Sequence, residues 1–154
     1  MTLKDKNIII GITGGIAAYK IPDLVRLFVK AQANVDVILT KSAKEFVTPW
    51  TLSTVSQNKV HCDMFDKDFD YDIDHISLAD KADLFLIVPA TANIIGKINA
   101  GIADDLLTTT LMATKAPMFI APAMNVNMWN NPIVQKNISC LKKLGYHFID
   151  PEEG

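Results

Sequence analysis

With 154 residues, 49% of them apolar and 21% charged, the chain carries enough apolar side chains for one domain with its own core. A net charge of −2, with no basic run longer than Lys142-Lys143, argues against a nucleic-acid footprint or a basic membrane-surface helix. No apolar run approaches the roughly 20 residues that a bilayer span needs.

The chain enters a strand-like run directly, without a signal-peptide pattern. Cys62 and Cys140 lack metal-ligand spacing, so they read as reduced thiols of a cytoplasmic protein and no metal site is expected. Asn7 to Ile12 is a β-branched run ending in Thr13-Gly14-Gly15, which predicts a buried strand entering a glycine turn. Ile16, Ala17, Tyr19, Leu24, Val25 and Phe28 then follow helical spacing, and Pro22 is expected to kink that helix or open a second segment. Val35 to Leu39 predicts the second strand, and Ser42 to Ser56 a helix interrupted by Pro49.

Leu84 to Val88 predicts a third strand that Pro89 ends, followed by two short helices around Gly101 between Ala92 and Ala113. Met118 to Ala121 predicts the fourth strand. Pro132, behind the cap Asn130-Asn131, starts a helix that Gly145 stops, and Tyr146 to Ile149 predicts a final strand. Strands alternating with helices predict an α/β fold, a three-layer doubly wound parallel sheet spanning residues 1–154 as a single domain.

In such sheets ligands bind beyond the carboxyl ends of the strands, so the turns after the strands carry the chemistry. Gly11 to Ala18 brings small residues to the first turn, where backbone N–H groups can approach a phosphate; a tight turn alone would also explain the glycines. The spacing is not that of a dinucleotide fingerprint, and Thr40-Lys41-Ser42 stands where a ribose-binding carboxylate would be expected. Hydroxyls and a lysine suit a terminal phosphate better. Thr91 and Asn93 could bond a flavin ring or a phosphate, or cap a helix. Asn125 follows Pro122 among Met124, Met128 and Trp129, where a neutral amide could hold a carboxylate; a capping role is equally open.

His75 follows a run of alternating acids from Asp66 to Asp74. Tyr71 and Ser77 stand where a calcium loop needs Gly and Glu, so calcium is not expected. Asp74 is expected to cap a short helix from His75 through Asp80, leaving His75 in its first turn as a possible base.

Taken together, Gly11 to Lys20 (GITGGIAAYK), Asp74 to Ile76, Pro89 to Asn93 (PATAN), Gly101 to Leu107 (GIADDLL) and Pro122 to Trp129 (PAMNVNMW) resemble the homo-oligomeric flavin-containing cysteine decarboxylases along nearly the whole chain. The resemblance implies a Rossmann-like flavoprotein fold and FMN as cofactor. By position it assigns FMN contacts to Gly14, Gly15, Ile16, Thr40, Ser42, Thr91, Ala92, Asn93, Ile94 and Ala123. It makes His75, as the active-site base, and Asn125, which would hold the substrate carboxylate, the catalytic residues, with Asn125 and Met128 binding the substrate.

It further implies decarboxylation of 4′-phosphopantothenoylcysteine to 4′-phosphopantetheine in coenzyme A biosynthesis. Trimers, or dodecamers built from them, are implied as well, with FMN near a subunit boundary. The readings it leaves beside this are a peptidyl-cysteine decarboxylase of lantibiotic maturation and a non-catalytic flavin-binding regulatory subunit. The family's Cys-bearing segment after the last strand is not matched by Pro151 to Gly154. A chain cut before that segment and before any ligase domain is therefore expected, with an impaired final reduction.

Overall fold

The computed structural model describes residues 2–62 and 74–152. The acidic run from Asp66 to Asp72 lies outside them.

Five parallel strands form one sheet: β1 (Asn7–Ile12), β2 (Asn34–Leu39), β3 (Leu84–Ala90), β4 (Met118–Pro122) and β5 (His147–Phe148), in the order β2-β1-β3-β4-β5. Among the described residues seven α-helices accompany them: α1 (Ile21–Lys30), α2 (Pro49–Ser56), α3 (Asp74–Lys81), α4 (Ala92–Ala100), α5 (Leu106–Ala113), α6 (Val126–Trp129) and α7 (Pro132–Lys143).

Near-continuous apolar runs make the strands, because a parallel sheet is buried on both faces. Ile9, Ile38, Phe85, Ile87 and Ile120 face one layer, packed with Leu78 of α3, Ile95 of α4, Leu107 of α5 and Leu141 of α7. Ile8, Ile10, Ile12, Val35, Val37 and Leu39 face the other, packed with Val25 of α1 and Leu52 of α2. This is the three-layer doubly wound arrangement. Gly11 lets α5 sit directly on β1, since a Cβ there would lie 2.4 Å from Leu107 Cδ1.

One carboxylate interrupts the apolar faces. Asp36 pairs in register with Ile9 and is only 5% exposed. Burial alone would raise its pKa. Hydrogen bonds and charge from His61 and Lys81 outweigh that and hold it below the usual carboxylate value. Lys81 Nζ lies 2.5 Å from Asp36 Oδ2, which ties the end of α3 to β2.

Pro22 opens a second segment, one of its two expected roles, while Pro49, Pro89 and Pro122 are placed differently from the sequence expectation. Ile16–Lys20 is a 3₁₀ helix, and Pro22 sits in the opening turn of the separate α1, where its missing N–H costs nothing. Pro49 likewise starts α2 behind the cap Thr48, whose side chain accepts from Thr51 N, instead of interrupting a longer helix. β3 does not stop at Val88 but crosses the cis Val88–Pro89 bond to Ala90, and its register against β4 shifts between Ile87 and Ala90. β4 likewise runs on through Pro122.

The last strand is shorter than expected. Tyr146 N bonds Leu141 O, so Tyr146 closes the end of α7 and only His147–Phe148 pair with β4. Helix α3 begins at Asp74 itself, so that residue lies inside the helix and not before it.

Candidate functional site

The chain crosses from β2 over β1 to reach β3, so β1 and β3 flank the point where the winding direction reverses. At such a switch point the turns diverge and leave a crevice beyond the strand ends. A cavity of about 1500 Å³ lies there, lined by the turns after β1, β2, β3 and β4.

The first turn presents Thr13 to Ala17. Gly14 is pressed against the second turn, because a Cβ on it would come within 2.4 Å of Ser42 Cβ and 3.1 Å of Ser42's backbone carbon. Only glycine allows that approach. A Cβ on Gly15 would meet Pro89 and Thr91 at ordinary contact distance, 3.6 to 3.9 Å. In the second turn, Thr40 Oγ1 accepts from Ala43 N at 3.2 Å. Lys41 and Ser42 are exposed on the cavity wall, and Ser42's side chain makes no capping bond.

The third turn contributes Thr91 to Ile94. Thr91 caps α4 by accepting from Ile94 N at 3.2 Å. The fourth turn, from Pro122 to Asn130, carries Asn125 as the cap of α6. Its Oδ1 accepts from Met128 N at 2.9 Å. No acceptor among the described residues takes Nδ2, so the amide group has two donors to offer. Met124 and Trp129 root this turn in the core, while Met128 remains 44% exposed at the cavity.

The structure therefore brings Gly14, Gly15, Ile16, Thr40, Ser42, Thr91, Ala92, Asn93, Ile94, Ala123, Asn125 and Met128 to one cavity. His75 is the exception, since it is not among the residues lining the cavity of its own chain. Helix α3 packs along α5, and Thr114 at the end of α5 bonds Ala79 O near the end of α3. The two helices run side by side.

Sequence reasoning missed four groups here. Thr13 is 3% exposed, donates its hydroxyl to Pro89 O and accepts from Thr91 N at 3.1 Å. A hydroxyl between a buried strand and a glycine pair was the available signal. Asp105 caps α5 in a reciprocal box with Thr108, which the spacing Asp105-x-x-Thr108 could have revealed. Lys97 lies on the wall with its ammonium held by both oxygens of Asp104, at 2.9 and 3.0 Å. That hydrogen bond is the main reason the Asp104 carboxyl titrates below its ordinary value, the Lys97 charge adding to it. Glu152, beyond β5, completes the rim. Among the described residues no group of three or more His, Cys, Asp or Glu is placed to hold a metal ion, and no helix is long and apolar enough to cross a membrane.

Comparison with known proteins places this geometry. Residues 1–154 match the family described as Flavoprotein. The chain is 51% identical over 152 residues to the coenzyme A biosynthesis bifunctional protein CoaBC of Bacillus subtilis (strain 168), covering 99% of this chain and 37% of that protein. It thus spans little more than a third of the length of the bifunctional relatives.

It is 43% identical over 149 residues to the probable phosphopantothenoylcysteine decarboxylase of Streptococcus mutans serotype c, covering 96% of this chain and 83% of that protein. Among solved structures, the FMN-dependent cysteine decarboxylase SpaF matches with a TM-score of 0.91 at 33% identity, covering 99% of this chain and 88% of that one. A PPC decarboxylase mutant, C175S, complexed with pantothenoylaminoethenethiol matches at 0.83 and 32%, covering 97% and 83%. A glycine turn locked on Ser42 at the β1/β3 switch point, on a chain matched from end to end, has one consequence: the chain belongs to the flavoprotein family.

Proposed function

We propose that this chain binds FMN in the crevice at the β1/β3 switch point and decarboxylates 4′-phosphopantothenoylcysteine, yielding 4′-phosphopantetheine for coenzyme A biosynthesis. The observation that carries the reading is the meeting of two features in one cavity: the glycine turn closed on Ser42, and the Asn125 amide with its donors unspent. The names of the Bacillus and Streptococcus relatives and the ligand of the PPC decarboxylase structure support the substrate class.

The residues present fit the cofactor. The close contact of Gly14 with Ser42 joins the first and second turns, so first-turn backbone N–H groups, the Ser42 hydroxyl and Lys41 border one side of the cavity for the phosphate. Thr40 and Ser42 border it, and Thr91 to Ile94 with Ala123 form the wall for the ring system. Bound there, FMN supplies reversible oxidation of the substrate thiol, which creates an electron sink for the carbon that loses CO₂.

Every other task falls to the protein. Asn125 holds the substrate carboxylate by Nδ2 without adding a counter-charge that would stabilise it in place. Met128 covers it from water. His75 moves the proton, and because it stands outside its own chain's cavity, a neighbouring copy in a trimer or dodecamer brings it to the crevice. The enzyme works in the cytoplasm.

The test is the purified chain mixed with FMN and then with substrate. A bound-flavin absorption band, and CO₂ released from 4′-phosphopantothenoylcysteine but not from a peptide ending in Cys, are expected. A protein that stays colourless with added FMN sinks the cofactor reading. One that acts only on the peptide replaces the substrate.

A further inference from the structure

We propose that Thr13 is a positioning residue that sets the separation of the first and third turns and so fixes the width of the cofactor crevice. The backbone ladder between β1 and β3 has its last pair at Gly11 and Ile87. Past that pair β1 and β3 have no further partners in register among the described residues, although β3 runs on to Ala90. The Thr13 side chain takes over there. Its hydroxyl donates to Pro89 O and accepts from Thr91 N at 3.1 Å, bridging 76 and 78 residues of sequence from a position 3% exposed.

Both ends of the bridge act on the crevice. Thr13 O accepts from Gly15 N at 2.9 Å, so the residue also shapes the glycine turn that rests on Ser42. Thr91 is the cap of α4, so holding its N–H fixes where α4 begins and how Thr91 to Ile94 face the cavity. The single hydroxyl proton is used on Pro89, and an acceptor site is used on Thr91. That makes Thr13 a spacer of the walls and not a contact for the ligand. A valine of similar shape would take away the partner of Pro89 O, which is buried, and of Thr91 N, which is half-buried. The turns would separate to let water reach them.

This inference rests on the flavin reading above, and the test separates the two. FMN is titrated into the wild-type chain, Thr13→Val and Thr13→Ser, with the flavin absorption spectrum recorded and the unfolding of each apoprotein measured alongside. Thr13→Val is expected to bind FMN at least about tenfold more weakly, equal to about 1.4 kcal/mol, with the spectrum of the bound flavin moved towards that of free FMN. Thr13→Ser, which keeps the hydroxyl, is expected to stay within about threefold of wild type, a loss below about 0.7 kcal/mol.

Undiminished binding by Thr13→Val overturns the proposal, and so does a Thr13→Ser protein as weak as the valine variant. Should Thr13→Val not fold, amide exchange in the wild-type apoprotein decides: a protected Thr91 N–H supports the bridge, and free exchange overturns it. A wild-type chain that takes up no FMN removes the flavin reading itself, and this proposal with it.

Discussion

At Asn125 the structure meets the capping reading and leaves the amide donors for the carboxylate-binding role proposed above. Its Oδ1 caps α6 through Met128 N, and its Nδ2 remains for a ligand at the cavity. Aspartate preserves the cap, since a carboxylate is as good an N-cap as an amide, but exchanges two donors for a negative charge. Asn125→Asp is therefore expected to keep its unfolding midpoint and its FMN, while KM for the carboxylate substrate rises at least about tenfold, near 1.4 kcal/mol. Steady-state kinetics beside a thermal melt would check this, and an unchanged KM would remove Asn125 from substrate binding. The amide was legible because Pro122 and the apolar residues around it make the segment unusual. Thr13 was not, because nothing local shows that its partners are Pro89 and Thr91.

Among the elements, α5 shows how a motif of unassigned role becomes architecture. Asp105 accepts from Thr108 N at 2.8 Å, and Thr108 Oγ1 accepts from the Asp104 and Asp105 amides at 3.0 and 3.1 Å. The box fixes the start of a helix whose Leu107 lies against Gly11 of β1. Asp105→Ala is expected to cost about 1 kcal/mol or somewhat more, and Asp105→Asn only a few tenths, read from urea unfolding of the apoprotein. An alanine variant as stable as wild type would show that the box contributes nothing measurable.

Two helices around Gly101 were legible from composition, and Gly101 does sit at φ +72° at the end of α4. The strand ends were harder. A proline argues against continuing a strand, yet β3 and β4 carry theirs at the carboxyl edge, where the ladder is ending and an N–H is least needed.

For the whole molecule, the Asp36 cluster links the sheet to α3 and gives stability a defined acid limb. Its folded pKa lies below the ordinary 3.8, so the folded state favours the ionised form. The contribution is complete above the unfolded value and disappears as pH falls through the lower folded one. Asp36→Asn is expected to lose about 1–2 kcal/mol at neutral pH, a modest figure because the Lys81 side chain is 39% exposed, and progressively less as pH falls below 3.8 and through the lowered folded value. Denaturant unfolding across that range would show the wild-type and variant curves converging. Parallel curves would assign the loss to packing. No strand pattern would have led one to place a carboxylate here, since Val35 to Leu39 reads as apolar apart from it.

Local chemistry along the chain was sufficient to establish an α/β protein with a parallel sheet, its strand-helix alternation, its glycine turn and its unusual Asn125 segment. Side-chain period, turn residues and caps act over a few neighbours, and each leaves its trace in the order of residues. Which turns face one another was decided only in three dimensions. The Gly14–Ser42 contact, the Thr13 bridge and the Asp36–Lys81 pair join residues 28 to 78 positions apart, and such closeness follows from the strand order β2-β1-β3-β4-β5. His75 marks the same division: its helix was expected from the sequence, but its distance from its own chain's cavity emerged only from the packing of α3 along α5.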